Sequence, residues 1–144
     1  MPQVSRKPLD RETANRLFES FFRAIGLLNR QDAEVFLNDL LTRTERVMLA
    51  KRLAISILLD AGKTYQHIKE LLNVSQSTIT AVGKTLELSG GYRRAIEKLK
   101  KSERWKEFWQ ELERFHFQNV NARYTFSEED EIKRKLGHRK KTLI

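Results

Sequence analysis

Residues 64–86, TYQHIKELLNVSQSTITAVGKTL, decide the fold. The stretch reads as two short helices joined by a tight turn. Its apolar positions are Ile68, Leu71 and Leu72, then Val74, then Ile79, Val82 and Leu86, and each set follows helical spacing. Asn73 tolerates the left-handed conformation that ends a helix. Ser75 is suited to cap the next helix by accepting a hydrogen bond from the backbone N–H of Ser77 or Thr78. The outward face of the second helix carries Gln76, Ser77, Thr78, Thr80, Ala81 and Lys84. These side chains are mostly short and polar, of a size to meet base edges. The layout is that of a DNA-binding helix-turn-helix, whose second helix enters the major groove.

Charge singles out the same region. The 144-residue chain has a formal net charge of +9. Residues 1–62 contribute +2, residues 63–101 contribute +5 and residues 102–144 contribute +2. The positive field therefore centres on the helix-turn-helix and the stretch after it, which predicts a polyanionic partner. A solubilising surface charge is the plainer reading, but charge and motif coincide.

Upstream, Asp10 is placed to cap a helix ending near Leu28. Ala14, Leu17, Phe18, Phe21, Phe22, Ile25 and Leu28 form a broad apolar stripe along it. Such a stripe serves either as ordinary core or as a dimer interface. Asn29 starts a second helix to about Leu41, with Ala33, Phe36, Leu37, Leu40 and Leu41 on one face. Thr42-Arg43-Thr44-Glu45 is a capping box in which hydroxyl and carboxylate satisfy orphan N–H groups reciprocally. It opens a third helix that stops at Gly62. This helix is apolar almost all round and is expected to be the central buried one, with Arg52 a charge inside it.

Downstream, Gly90-Gly91 is expected to break the chain after Leu88, with a new helix starting near Tyr92. Ile96, Leu99, Trp105, Phe108, Trp109, Leu112 and Phe115 mark its inner face, with a break near Ser102. Residues 117–126 are aromatic but aperiodic and are expected to be irregular. Ser127 caps a short last helix with acids in its first turn and bases in its last, and HRKKTLI is a basic arm. The expected organisation is a disordered stretch at 1–9, a DNA-binding domain at 10–91 with the helix-turn-helix at 64–88, a helical extension at 92–126, and a short helix with the tail at 127–144. No strand-like alternation appears, so the fold class is all-α.

Several functions are disfavoured. There is no cysteine, hence no disulfide or thiolate chemistry. His67, His116 and His138 lack metal spacing, and Gly90-Gly91 belongs to no phosphate-loop motif. No enzyme activity, cofactor or metal is expected. No apolar run of about 18 residues predicts a membrane span, and MPQVSRKPLDRE lacks a signal-peptide core, so the expected location is cytoplasmic.

The segment LLTRTERVMLAKRLAISILLDAG, continued through IKELLNVSQSTIT, resembles the tryptophan repressor superfamily, and within it the small bacterial regulators of the YerC/YecD family. The resemblance rests on Leu40-Leu41-Thr42, Glu45, Leu49, Arg52, Ile55, Gly62, Ile68, Leu72, Val74-Ser75 and Thr78-Ile79-Thr80, and covers roughly residues 30–90. It implies a sequence-specific DNA-binding repressor fold that works as a homodimer with interlocked N-terminal helices. Two reading heads then meet half-sites about one helical turn apart on double-stranded DNA. Thr42 and Arg52 match two of the family's tryptophan contacts, although each has a plainer role as a helix cap and a paired structural charge. The arginine that stacks on the indole in the family is replaced by Ala81, and the small glycine after it by Val82. Tryptophan is therefore not the expected ligand, and any other small-molecule effector is left unassigned.

By spacing, Gln76, Ser77, Thr80 and Ala81 face the groove, while Thr78, Lys84, Lys69, Gln66 and Tyr65 are better placed for backbone phosphates. Two other readings stay open: a protein-interaction adaptor that docks partners on the Trp105–Phe115 aromatic face, and a nonspecific nucleic-acid binder.

Overall fold

The computed structural model describes the backbone of residues 7–121 and the side chains of residues 7–114. Among these residues the chain is all-α, and no strand occurs. The helices are α1 (Arg11–Leu27), α2 (Arg30–Leu40), α3 (Arg43–Asp60), α4 (Tyr65–Leu72), α5 (Gln76–Leu88), α6 (Gly90–Lys100) and α7 (Trp105–Asn121). The chain divides into two compact units, one up to Ala50 and one from Lys51 onward.

In the first unit each helix starts at the residue expected to cap it. The Thr13 N–H donates to Asp10 Oδ1 at 3.0 Å, and the Asp32 N–H donates to Asn29 Oδ1 at 2.9 Å. At the start of α3 the capping box is closed. The Thr42 N–H donates to Glu45 Oε2 at 2.8 Å, and the Glu45 N–H donates to Thr42 Oγ1 at 3.3 Å. Arg46 on α3 reaches back to the side chain of Asn38 on α2. No residue from Lys7 to Ala50 is buried within the chain. Phe18, Phe21, Phe22 and Leu27 all stand exposed, Leu27 to 81%.

The second unit carries the core. Ala54, Ile55 and Leu58 of α3 pack with Ile68, Leu71 and Leu72 of α4 and with Ile79 and Val82 of α5. Ile57, Leu86 and Ile96 form an adjoining cluster, against which Trp105, Phe108, Trp109 and Leu112 of α7 lean. Burying one such isoleucine is worth about 1.5–3 kcal/mol. Ser56 is fully buried, and its hydroxyl donates to the Leu53 carbonyl at 2.7 Å. The helix α3 closes at Gly62, where φ is +76°. The Lys63 N–H reaches the Leu58 carbonyl at 3.0 Å and the Gly62 N–H the Leu59 carbonyl at 2.9 Å, the paired bonds of a left-handed helix stop.

Three expectations change. α3 is buried only from Ala54 to Leu58, while Val47, Met48 and Leu49 remain exposed, because that half of the helix lies where the chain has no core of its own. Gly90 and Gly91 do not break the chain. They form the first turn of α6, and the interruption is the single extended residue Ser89. α7 continues through residues 117–121, which were expected to be irregular, since the sequence there lacks any helix-breaking residue. The break near Ser102 is present, with the Ser102 hydroxyl capping the Leu99 carbonyl at 2.6 Å. Residues 122–126, the helix from Ser127 and the basic arm lie outside the described residues, as do residues 1–6.

The two clusters share helices, so opening either should unfold the unit. Ile57→Ala should cost about 2–5 kcal/mol, read from the midpoint of urea unfolding followed by circular dichroism. The capping box makes a pH prediction as well. The N–H and then the hydroxyl of Thr42 hold the Glu45 carboxyl below its ordinary value. A depressed folded value means that the cap stabilises above the unfolded pKa and that this is lost as pH falls through the folded one. An NMR titration of Glu45 should show the low value, and Thr42→Ala should raise it only partway, since the N–H remains.

Candidate nucleic-acid interface

The helix-turn-helix is assembled by three local devices. The Thr64 hydroxyl accepts from the His67 N–H at 3.2 Å and starts α4. Asn73 ends α4 in the left-handed region, at φ 48° and ψ 62°. The Ser75 hydroxyl accepts from the Thr78 N–H at 3.3 Å and starts α5. The same hydroxyl lies 2.9 Å from Ser77 Oγ and 2.8 Å from Thr78 Oγ1, so three hydroxyls are knotted at the head of α5.

A further brace was not legible in the local sequence. Lys51 Nζ donates to the Asn73 carbonyl at 3.3 Å, tying α3 to the turn. It satisfies a carbonyl orphaned at the end of α4 and sets a cation there, where the helix dipole favours one. The two residues are 22 positions apart, and no periodicity links them.

Burial of Ile79, Val82, Gly83 and Leu86 turns the opposite face of α5 outward. Gln76, Ser77, Ala81 and Lys84 are exposed there, and Thr78 and Thr80 are half-buried. Among the residues expected at phosphates on α4, Tyr65, Gln66 and Lys69 are exposed. Gln66 is bonded to the Glu70 carboxylate one turn on. The Tyr65 hydroxyl lies over Gly83: a Cβ built there would sit 3.0 Å from Tyr65 Oη and 3.6 Å from Leu59 Cδ1. The bare glycine thus lets α4 and α5 close together.

Arg52 is exposed and has no carboxylate partner among the described residues. It borders a cleft of about 360 Å³ with Thr78, Ala81, Val82 and Thr85 of α5 and Tyr92 of α6. Thr85 and Tyr92 were missed in the sequence. Thr85 sits one turn after Ala81 and donates its hydroxyl to the Ala81 carbonyl at 3.1 Å. Thr42 has its N–H and hydroxyl engaged in the capping box, the hydroxyl 2.8 Å from Glu45 Oε2.

The aromatic face of α7 is turned to the chain's own core. Trp105 stacks on Phe108 and Trp109, with ring centroids 5.9 and 5.7 Å apart, and all three are half-buried. Among the described residues no group of side chains is arranged to hold a metal, and no helix is long and apolar enough to cross a membrane.

Comparison with known proteins bears on this geometry. The family described as Trp repressor protein matches residues 16–100. A Bacillus subtilis (strain 168) protein, uncharacterized and designated YerC, is 28% identical over 96 residues, covering 66% of this chain and 92% of its own length. No solved structure matches at a significant level.

The turn offers a direct check on how α5 is aimed. Asn73→Gly should leave stability nearly unchanged, because glycine adopts the left-handed region freely. Asn73→Val should lose about 1–2 kcal/mol in thermal unfolding, because a branched side chain is strained at positive φ.

Proposed function

The chain belongs to the Trp repressor family of DNA-binding regulators, and on that premise we propose that it is a sequence-specific transcriptional repressor that binds operator DNA as a homodimer. The observation that carries this reading is the exposed face of α5. It is polar, lies opposite a fully buried Ile79, and is held at a fixed angle by the Asn73 turn. A major groove admits a single α-helix, and a helix presented in this way can place its first turns against base edges.

In this reading Gln76, Ser77, Thr80 and Ala81 meet bases. Gln76 is suited to bidentate pairing with adenine, and Ala81 to the methyl of thymine. Lys84, Lys69, Gln66, Tyr65 and Thr78 lie nearer the backbone and hold phosphates, which fix register without reading sequence. Gln66 exchanges its Glu70 bond for a phosphate on docking. Few arginines reach bases, so part of the discrimination falls to DNA shape.

The homodimer is supported by what one chain leaves uncovered. Phe18 at 56%, Phe22 at 66% and Leu27 at 81% exposure give α1 an apolar surface left uncovered among the described residues. A second copy supplies the same surface and covers both. The cleft beside Arg52 keeps one cation of a ligand site. It offers no stacking plane at Ala81, and Val82 is buried in its wall. Tryptophan is accordingly not the effector in this reading, and DNA binding does not wait for it.

Binding-site selection with the full chain is the decisive experiment. A single enriched motif with two-fold symmetry supports the reading, and recovery of random sequence sinks it. Gln76→Ala should relax preference at one base pair per half-site, by about 1–3 kcal/mol. Phe22→Asp should convert a dimer to monomer in sedimentation velocity, and a parent chain that sediments as a monomer at all concentrations counts against the dimer.

A further inference from the structure

Most of the charge on α6 has no ion-pair partner among the described residues. Residues 90–101 hold Arg93, Arg94, Lys98, Lys100 and Lys101 against one acid, Glu97. Lys100 is engaged, its Nζ 2.5 Å from Asp60 Oδ2 on α3. The other four have no carboxylate partner among the described residues, although Glu97 stands one turn from both Arg93 and Lys101. Elsewhere three arginines are neutralised within their own helix: Arg16 with Glu12, Arg23 with Glu19, Arg114 with Glu111.

Spacing turns three of the unpaired cations into a stripe. Arg94, Lys98 and Lys101 recur at i, i+4 and i+7, on the face opposite Ile96. Ile96 is anchored against Ile57 and Leu86, so the stripe points away from the core, and all three cations are exposed. α6 packs on α5 and is joined to it by Ser89 alone. The unpaired charge therefore begins directly beyond the last turn of the helix assigned to the groove. From Arg94 to Lys101 the stripe rises through seven residues, about 10 Å. Duplex DNA carries one phosphate per strand for about every 3.4 Å of axis, so a stripe of that length spans about three. A row of one sign, left unpaired among the described residues, matches a regular polyanion and not a surface of mixed charge.

We propose that the Arg94–Lys98–Lys101 stripe of α6 is a second phosphate-binding surface, which grips the duplex flanking the bases read by α5. The proposal rests on the DNA-binding reading above. Its contacts are to phosphate, so they add affinity and orientation and carry no base preference. Each protomer thereby covers a longer footprint than its recognition helix alone.

The test uses the full chain on its selected operator, in a salt series of fluorescence anisotropy. The variant Arg94→Gln with Lys98→Gln and Lys101→Gln should flatten the plot of log affinity against log salt by about 0.9 for each phosphate that it no longer neutralises. It should select the parent's motif and unfold at the parent's temperature. Trimming the operator's flanks should weaken the parent and leave the variant nearly unaffected. A control, Arg16→Gln with Arg23→Gln and Arg114→Gln, removes the same charge from paired positions and should keep the parent's slope. A triple variant with the parent's slope overturns the stripe while the α5 reading stands, and an equal loss in the control assigns the effect to net charge and overturns it too. A parent that binds no duplex removes both readings together.

Discussion

Ile55 of α3, Ile68 of α4 and Ile79 of α5 are each fully buried in one cluster, and the rest of the candidate interface depends on that contact. Two helices of 8 and 13 residues are too short to be stable alone. They persist because one isoleucine from each is pinned to the end of α3. Pinning also chooses a face. With Ile79, Val82 and Leu86 inward, helical geometry leaves Ser77, Ala81 and Lys84 no direction but outward. A polar substitution in the cluster would therefore lose the orientation of the reading face together with the stability.

The two units use apolar sequence in different ways. From Ala54 onward, apolar side chains find partners a few turns away in the same chain. Up to Ala50 none is buried among the described residues: Ile25, Leu28, Phe36 and Leu37 are only half-buried and Phe18, Phe21 and Phe22 stand exposed, although the caps at Asp10, Asn29 and Thr42 show that the helices there are locally well specified. Local hydrogen bonds define a helix, but they cannot cover a stripe of phenylalanines. Composition and periodicity are alike in the two cases, which is why the stripe of α1 was legible in the sequence while its exposure was not.

Residue by residue, legibility follows sequence separation. The caps at Asp10, Asn29, Thr42, Thr64 and Ser75 were readable, because such a cap links residues three positions apart. The αL turn at Asn73 was readable for the same reason, and so was the break at Ser102. The Lys51 brace on the Asn73 carbonyl was not, nor the approach of the Tyr65 hydroxyl to Gly83, nor the cleft that joins Arg52 to Thr85 and Tyr92. Each of these joins different helices. Gly90-Gly91 misled for a different reason. Glycine weakens a helix interior but is tolerated in a first turn, and here α6 gains its order from Ile96 in the core.

By itself the sequence determined an all-α chain, the starts of its first five helices, a helix-turn-helix with its polar face, and the resemblance to a repressor family. These follow from hydrogen bonds and periodicities that span a turn or two of helix. Tertiary structure alone decided which half of α3 is core, that Arg52 borders a cleft with Thr85 and Tyr92, that the aromatic residues of α7 lean on the core, and that Arg94, Lys98 and Lys101 point away from it. Those outcomes depend on which faces meet, and side chains tens of residues apart settle that only once they compete to leave water.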